Sequence, residues 1–401
     1  MPFLNRQTAE VNILLNKIDA LFNPVEIKSV ADRTFLPGTY NNSIKETMSR
    51  TRHVACDDIT SLKLVYSNWY MANGLATGTG GTATINASIE YPVGTIVRSL
   101  SGGNNAGTVI SGNNQVRDET AINIPRGTEF FVRTHYSNPA GGIWANRAGG
   151  DANANFADVF TFGTTVDDLT GGGTIVSAGA PGLVYGPSSI IMQGAKNKSV
   201  FVFGDSRAFG LHDDIDTTLK AGIVQRAFPA NVATCNAAQS GSLYQQYAND
   251  PTFNEKFLEI AQYYDYFALS AGINDINAGR TPAQVIADIK TLISRFPSTA
   301  KVILTTINPY TSSTDSWSTL ANQTVGANEV NRVTLNNLIR AGGIHKVVHI
   351  ADVADVVESA RDSGKWIVNG SANFATQDGL HEKRAVILLI VNANKVVPNP
   401  F

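Results

Sequence analysis

The chain has 401 residues, more than one hydrophobic core usually serves, so length alone argues for two or three domains. Its formal net charge is −2, with 31 Lys and Arg against 33 Asp and Glu, which excludes a nucleic-acid binder that works by releasing counterions from phosphate. Charged residues make up only 16%, against a usual share of about a quarter; Gly, Asn, Ser and Thr take their place, as in many secreted and virion-type β proteins.

The first predicted element is a helix over residues 8–22. Val11, Leu14, Leu15, Ile18 and Phe22 recur at helical spacing, Thr8 stands at the N-cap position, and Asn23-Pro24 ends the run. Its apolar stripe must be buried, either on its own chain or in a stem joining copies, so a homo-oligomer through this helix is one expectation. The opening residues Met1-Pro2-Phe3-Leu4-Asn5-Arg6-Gln7 lack the basic-then-apolar order of a signal peptide. No apolar run approaches the roughly 20 residues that span a bilayer. These features predict a soluble protein, cytosolic, extracellular or virion-associated. Cys56 and Cys235 are too few and too far apart for a disulfide framework or a thiolate metal cluster, and read as small buried residues.

From about residue 28 to 195 short alternating runs are broken by glycine and asparagine clusters. Residues 61–66, 84–90 and 128–133 read as strands. The clusters Gly78-Thr79-Gly80-Gly81 and Ser101-Gly102-Gly103-Asn104-Asn105 lack the setting and the lysine of a phosphate-binding loop, and read as plain loops. The pattern predicts a β-sandwich of jelly-roll type. Asn68, Trp69, Tyr136 and Trp144 would either line a sugar-binding face or be half-buried sheet residues.

From about residue 196 to the end, apolar runs alternate with amphipathic segments. Residues 200–203, 267–270, 302–307 and 347–350 read as buried strands, and 282–296, 325–340 and 382–394 as helices. Alternating β and α predicts a parallel sheet covered by helices on both faces, with any ligand site outside the carboxyl ends of the strands. The predicted organisation is therefore a helix over 1–27, a β-sandwich over 28–195 and an α/β domain over 196–401.

The residues able to do chemistry fall at those strand ends. The run Val200-Phe201-Val202-Phe203 stops at Gly204-Asp205-Ser206, which exposes a serine at the sheet rim. Serine needs a base within hydrogen-bond reach to act as a nucleophile. Of six histidines, His53 and His135 belong to the β-region, and His345 and His349 flank a strand with no further ligands clustered near. His212, soon after Ser206, suits a capping or surface role. His381 follows Asp378 by three residues in Asp378-Gly379-Leu380-His381, so the carboxylate can face the imidazole; equally, Asp378 could cap the last helix. An oxyanion needs fixed donors, and the backbone amides of Ser206 and Gly241 and the side chain of Asn274 are available for that.

These blocks, Gly204-Asp205-Ser206, Ser240-Gly241, Gly272-Ile273-Asn274-Asp275 and Asp378-Gly379-Leu380-His381, resemble in order those of the SGNH hydrolases, the GDSL esterase/lipase family. The resemblance covers about residues 196–401. It implies a three-layer α/β/α sandwich, a catalytic triad of Ser206, His381 and Asp378, an oxyanion hole of Ser206, Gly241 and Asn274, and no metal or organic cofactor. Arg207 departs from the uncharged residue often found after the serine; it would contact substrate or pair with a nearby acid. The β-region is similar to accessory β-sandwiches of carbohydrate esterases and phage tail proteins, and the first helix to segments of phage fibre proteins.

The expected activity is hydrolysis of esters, with O-acetyl groups on a carbohydrate polymer as the first substrate class. A lipase, thioesterase or polyester hydrolase on the same triad is the second. A virion or surface glycan-binding protein with secondary esterase activity is the third.

Overall fold

The computed structural model describes residues 26–72, 75–146, 158–177, 184–214, 218, 220–249, 251–399 and 401. The helix expected over 8–22, and with it the proposed route to a homo-oligomer, lies outside the described residues.

Six parallel strands form one sheet, in the order Thr34–Phe35, Ala233–Asn236, Ser199–Gly204, Tyr266–Ser270, Lys301–Thr305, Val347–Ala351. Every residue of Ser199–Gly204 and Tyr266–Ser270 is buried. A strand covered on both faces has no solvent side, so it reads as a continuous apolar run rather than an alternation. Phe201, Phe203, Phe267 and Leu269 join Phe257, Ile289 and Phe296 in one core, under helices Pro251–Ala261, Pro282–Ser294 and Glu329–Arg340. Val200, Val202 and Ala268 point the other way, as successive strand residues must, and meet Val224, Val386 and Ile390 beneath Gly222–Gln225 and Arg384–Asn392.

The predicted helices differ from the observed ones at their ends. The helix expected from 325 begins at Glu329, because Gln323–Val325 pairs with Thr311–Ser313 in a small hairpin. Thr281 and Gln284 form a reciprocal capping box, with Pro282 in the first turn, which fixes the start of Pro282–Ser294.

The region before residue 195 folds as two large antiparallel sheets, with two two-stranded ribbons beside them, Pro37–Asn41 with Ile143–Asn146 and Trp69–Ala72 with Leu75–Gly78. One large sheet holds Ile27–Ser29, Ser189–Gln193, Ile59–Ser67 and Asn114–Val116; the other holds Ala106–Val109, Ala83–Glu90, Glu129–Ser137, Glu46–Val54 and Val159–Gly163. Leu62, Leu64 and Tyr66 of the first bury against Ile85, Ile89, Val132 and Tyr136 of the second. Asn68, Trp69 and Tyr136 do not form a sugar-binding face: all three are fully buried. Asn68 Nδ2 donates to the carbonyls of Gly81 and Val109, Tyr136 Oη donates to Asn68 Oδ1, and Trp69 Nε1 donates to Asn114 Oδ1. The Trp144 side chain lies outside the described residues.

Packing crosses the boundary that composition sets at residue 195. Val65 and Ile191 sit on the reverse face of the first β-sheet and, with Leu36, Trp69 and Met71, belong to the core under Phe201 and Phe257. The edge strand Thr34–Phe35 also comes from the early part of the chain. Polar ties follow the same seam: Asn197 Nδ2 donates to Ser29 O at 2.9 Å and Asn114 Nδ2 to Glu259 Oε2 at 2.7 Å.

Candidate active site

Ser206 lies one residue past the central Ser199–Gly204 strand and opens the four-residue helix Ser206–Phe209. Asp205 caps that helix by accepting from the Arg207 amide at 3.0 Å, and Gly210 ends it at φ 84°. The serine is thereby held between a fixed strand end and a capped turn. His381 Nε2 lies 2.7 Å from Ser206 Oγ, and His381 Nδ1 lies 2.6 Å from Asp378 Oδ2.

Asp378 Oδ1 accepts from the Leu380 and His381 amides at 2.9 and 2.8 Å. Partial burial pushes its carboxyl up, but the His381 side chain and these amides outweigh burial and hold it at about 2. Asp378 does not cap the last helix, whose N-cap is Lys383. Gly379, at φ 80°, lets the loop lie against its neighbours: a Cβ there would overlap the Thr311 carbonyl. Thr311 N and Trp366 Nε1 both donate to Gly379 O at 3.0 Å, so the turn is pinned from two sides.

Gly241 is exposed on the turn after Ala233–Asn236, at φ 82°. Neither its amide nor that of Ser206 meets an acceptor among the described residues. Asn274 stands in the short helix after Tyr266–Ser270, half-buried, with Nδ2 donating to Ser242 O at 3.1 Å. The next residue, Asp275, accepts from the Tyr244 and Gln245 amides at 2.9 and 3.1 Å and so ties the Asn274 loop to the Gly241 loop; burial pushes its carboxyl up to about 6.

Arg207 turns into the protein. It is only 4% exposed, and its guanidinium donates to the carbonyls of Asn308 and Pro309 at 2.9 and 2.8 Å, with Glu382 Oε1 3.6 Å away. Of the two readings open from sequence, substrate contact or pairing with a nearby acid, the burial beside Glu382 fits the second. The side chain turns inward because the loop after Lys301–Thr305 presents carbonyls that need donors.

Asp205 is fully buried, and burial pushes its carboxyl up to about 7; Arg207 pulls it down, and Glu382 and Asp275 push it up. Its unfolded value is 3.8, so the protonated form is favoured by folding. Stability from this group is complete below pH 3.8 and is lost as pH rises through 7. Asp205→Asn carries no ionisable proton and should therefore gain stability relative to the native chain on going from pH 5 to pH 8. Urea unfolding at the two pH values checks this; a relative gain that shrinks toward pH 8 contradicts it.

His212 also belongs to this cluster, which sequence reasoning did not foresee. Its Nε2 lies 3.3 Å from Asp378 Oδ2, its Nδ1 2.6 Å from Gln377 Nε2, and its ring centroid 5.4 Å from that of His381. No local pattern links residue 212 to residue 378; only the fold brings them together. His212, Asp378 and His381 offer ligand atoms within 4.8 Å of one another, a set able to hold a metal ion. Each of these atoms already has a hydrogen-bond or ion-pair partner, so a metal would have to displace one.

No family model matches the chain, and no curated protein matches it. Among solved structures it is similar to a carbohydrate acetylesterase from Sinorhizobium meliloti (17% identity, 49% of this chain and 95% of that one, TM-score 0.34). It is also similar to a lipolytic protein of the G-D-S-L family from Veillonella parvula (16%, 51% and 100%, TM-score 0.37). A third is the catalytic domain of a peptidoglycan O-acetyltransferase from Streptococcus pneumoniae (18%, 49% and 89%, TM-score 0.31). No helix among the described residues is long and apolar enough to cross a membrane.

Proposed function

We propose that the chain is a serine esterase working through an acyl-enzyme, with residues 196–401 carrying the catalytic groups. The observation that carries this is the continuous line Ser206 Oγ, His381 Nε2, His381 Nδ1, Asp378 Oδ2, with links of 2.7 and 2.6 Å. Ser206 Oγ attacks the ester carbonyl while His381 Nε2 takes its proton. The imidazolium then gives that proton to the departing alcohol, and Asp378 stabilises the positive ring. Water repeats the cycle on the acyl-serine and releases the acid. The developing oxyanion is held by the Ser206 and Gly241 amides and by Asn274 Nδ2. In support, the two amides have no acceptor among the described residues, and Asn274 Nδ2 retains a second N–H besides the one given to Ser242.

Asn274→Ala should lower kcat by roughly 10²–10³ with little change in KM, since an oxyanion donor acts mainly in the transition state. Steady-state kinetics check this; a rise in KM alone would put Asn274 in ground-state binding.

For substrate, the reading is O-acetyl groups on a carbohydrate polymer, with the residue 28–195 region acting as the accessory part that holds the glycan. It is supported by the polar, weakly charged composition, 16% charged with 35 glycines, which suits an uncharged hydroxyl-rich partner. A panel of p-nitrophenyl esters from acetyl to palmitoyl, run beside an acetylated polysaccharide, tests it. Fastest turnover on acetyl together with acetate release from the polymer is expected. Turnover that grows with acyl length would instead favour the lipase class.

A further inference from the structure

We propose that His212 is a positioning residue for Asp378: a neutral imidazole fixed as its Nε2–H tautomer, donating a second hydrogen bond to the carboxylate oxygen that His381 uses. The inference rests on the triad reading above and extends it by one residue that the serine, histidine and aspartate do not require.

The protons can be placed from the donors. Lys383 Nζ can only donate, and it lies 3.3 Å from Gln377 Oε1. That orients the Gln377 amide, so its NH2 faces His212 Nδ1 at 2.6 Å. An amide nitrogen has no lone pair to offer, so Nδ1 must be the acceptor and the ring proton sits on Nε2. Nε2 then carries the proton and lies 3.3 Å from Asp378 Oδ2. The chain Lys383, Gln377, His212, Asp378 runs in one direction.

This fills the carboxylate. Oδ1 takes the Leu380 and His381 amides, with Thr376 Oγ1 also donating to it at 3.3 Å, and Oδ2 takes His381 Nδ1 and faces His212 Nε2. A carboxylate has about four acceptor sites, so the groups gathered at these two oxygens leave it no free one. Asp378 therefore cannot rotate to offer a different oxygen or lean toward solvent, although its side chain is 35% exposed. With Asp378 fixed, His381 keeps its proton on Nδ1 and its Nε2 lone pair on Ser206. His212 holds this position in the left-handed backbone region, at φ 66°, and Asp213 beside it is turned away to Arg226 and the Gly222 amide.

The test uses the full chain on p-nitrophenyl acetate, with His212→Ala, His212→Gln and Gln377→Leu, each checked for folding by circular dichroism. His212→Ala should lower kcat about tenfold and leave KM within about twofold, the scale expected for one hydrogen bond to a partly exposed carboxylate. His212→Gln should recover most of the loss, because its amide N–H reaches about as far as Nε2. Gln377→Leu should lose part of the rate by freeing the tautomer. A His212→Ala enzyme with native kcat, or a Gln variant no better than Ala, overturns the proposal. Long-range proton–nitrogen NMR of the native chain decides independently of turnover: a proton on His212 Nε2 is expected, and one on Nδ1 overturns the proposal. A native chain that hydrolyses no ester defeats the triad reading, while the tautomer result still judges His212.

Discussion

Ser206→Ala is expected to abolish ester hydrolysis, with kcat falling on the order of 10⁶, while the fold survives. The nucleophile and its base act as a unit, so removing the hydroxyl leaves only the residual help of the oxyanion donors. Structural damage should be small, because Ser206 is held by backbone on both sides and its side chain meets one partner among the described residues, His381. Steady-state rates and circular dichroism on the same sample check both halves. More than about 1% of native activity in a folded variant removes Ser206 from the chemistry.

Residues 196–401 expressed alone are expected not to fold cooperatively, even though they contain every proposed catalytic group. Cutting at 195 removes Leu36, Val65, Trp69, Met71 and Ile191, all at most 5% exposed, from the core that also holds Phe201 and Phe257. Burying a large apolar side chain contributes about 1.5–3 kcal/mol, so five together amount to roughly 10 kcal/mol. That is as large as the whole stability of a typical domain, about 5–15 kcal/mol. The cut also strips Thr34–Phe35 from the sheet and leaves the fully buried strand Ala233–Asn236 as an open edge. Denaturant unfolding of this fragment followed by tryptophan fluorescence tests the expectation. A sigmoidal transition with stability near that of the full chain contradicts it.

The parts of this molecule legible in the sequence are those whose physics is local. Ser199–Gly204 and Tyr266–Ser270 announce themselves as apolar runs because both faces are covered. Asp378 and His381 are readable as a pair because a tight turn three residues long brings them together. Thr34–Phe35 was invisible because two residues carry no periodicity, and its place at the sheet edge depends on a partner 200 positions away. Trp69 and Tyr136 looked available for sugar because alternation tells a strand's two faces apart without saying whether the second is covered. Here Tyr136 lies in the core between the two large β-sheets and Trp69 in the core under Phe201. The partners of Arg207 and His212 were out of reach for a related reason: each answers to a residue far along the chain, Asn308 and Asp378, that no local spacing could name.

In the proposed mechanism Ser206 Oγ is a nucleophile activated by His381. Treating the full chain with a fluorophosphonate, followed by proteolysis and mass spectrometry of the peptides, tests it most directly. One covalent adduct is expected, on Ser206, forming in step with loss of esterase activity and absent from His381→Ala on the same timescale. An unlabelled Ser206 in an active chain, or inactivation that tracks labelling of a different residue, would contradict it.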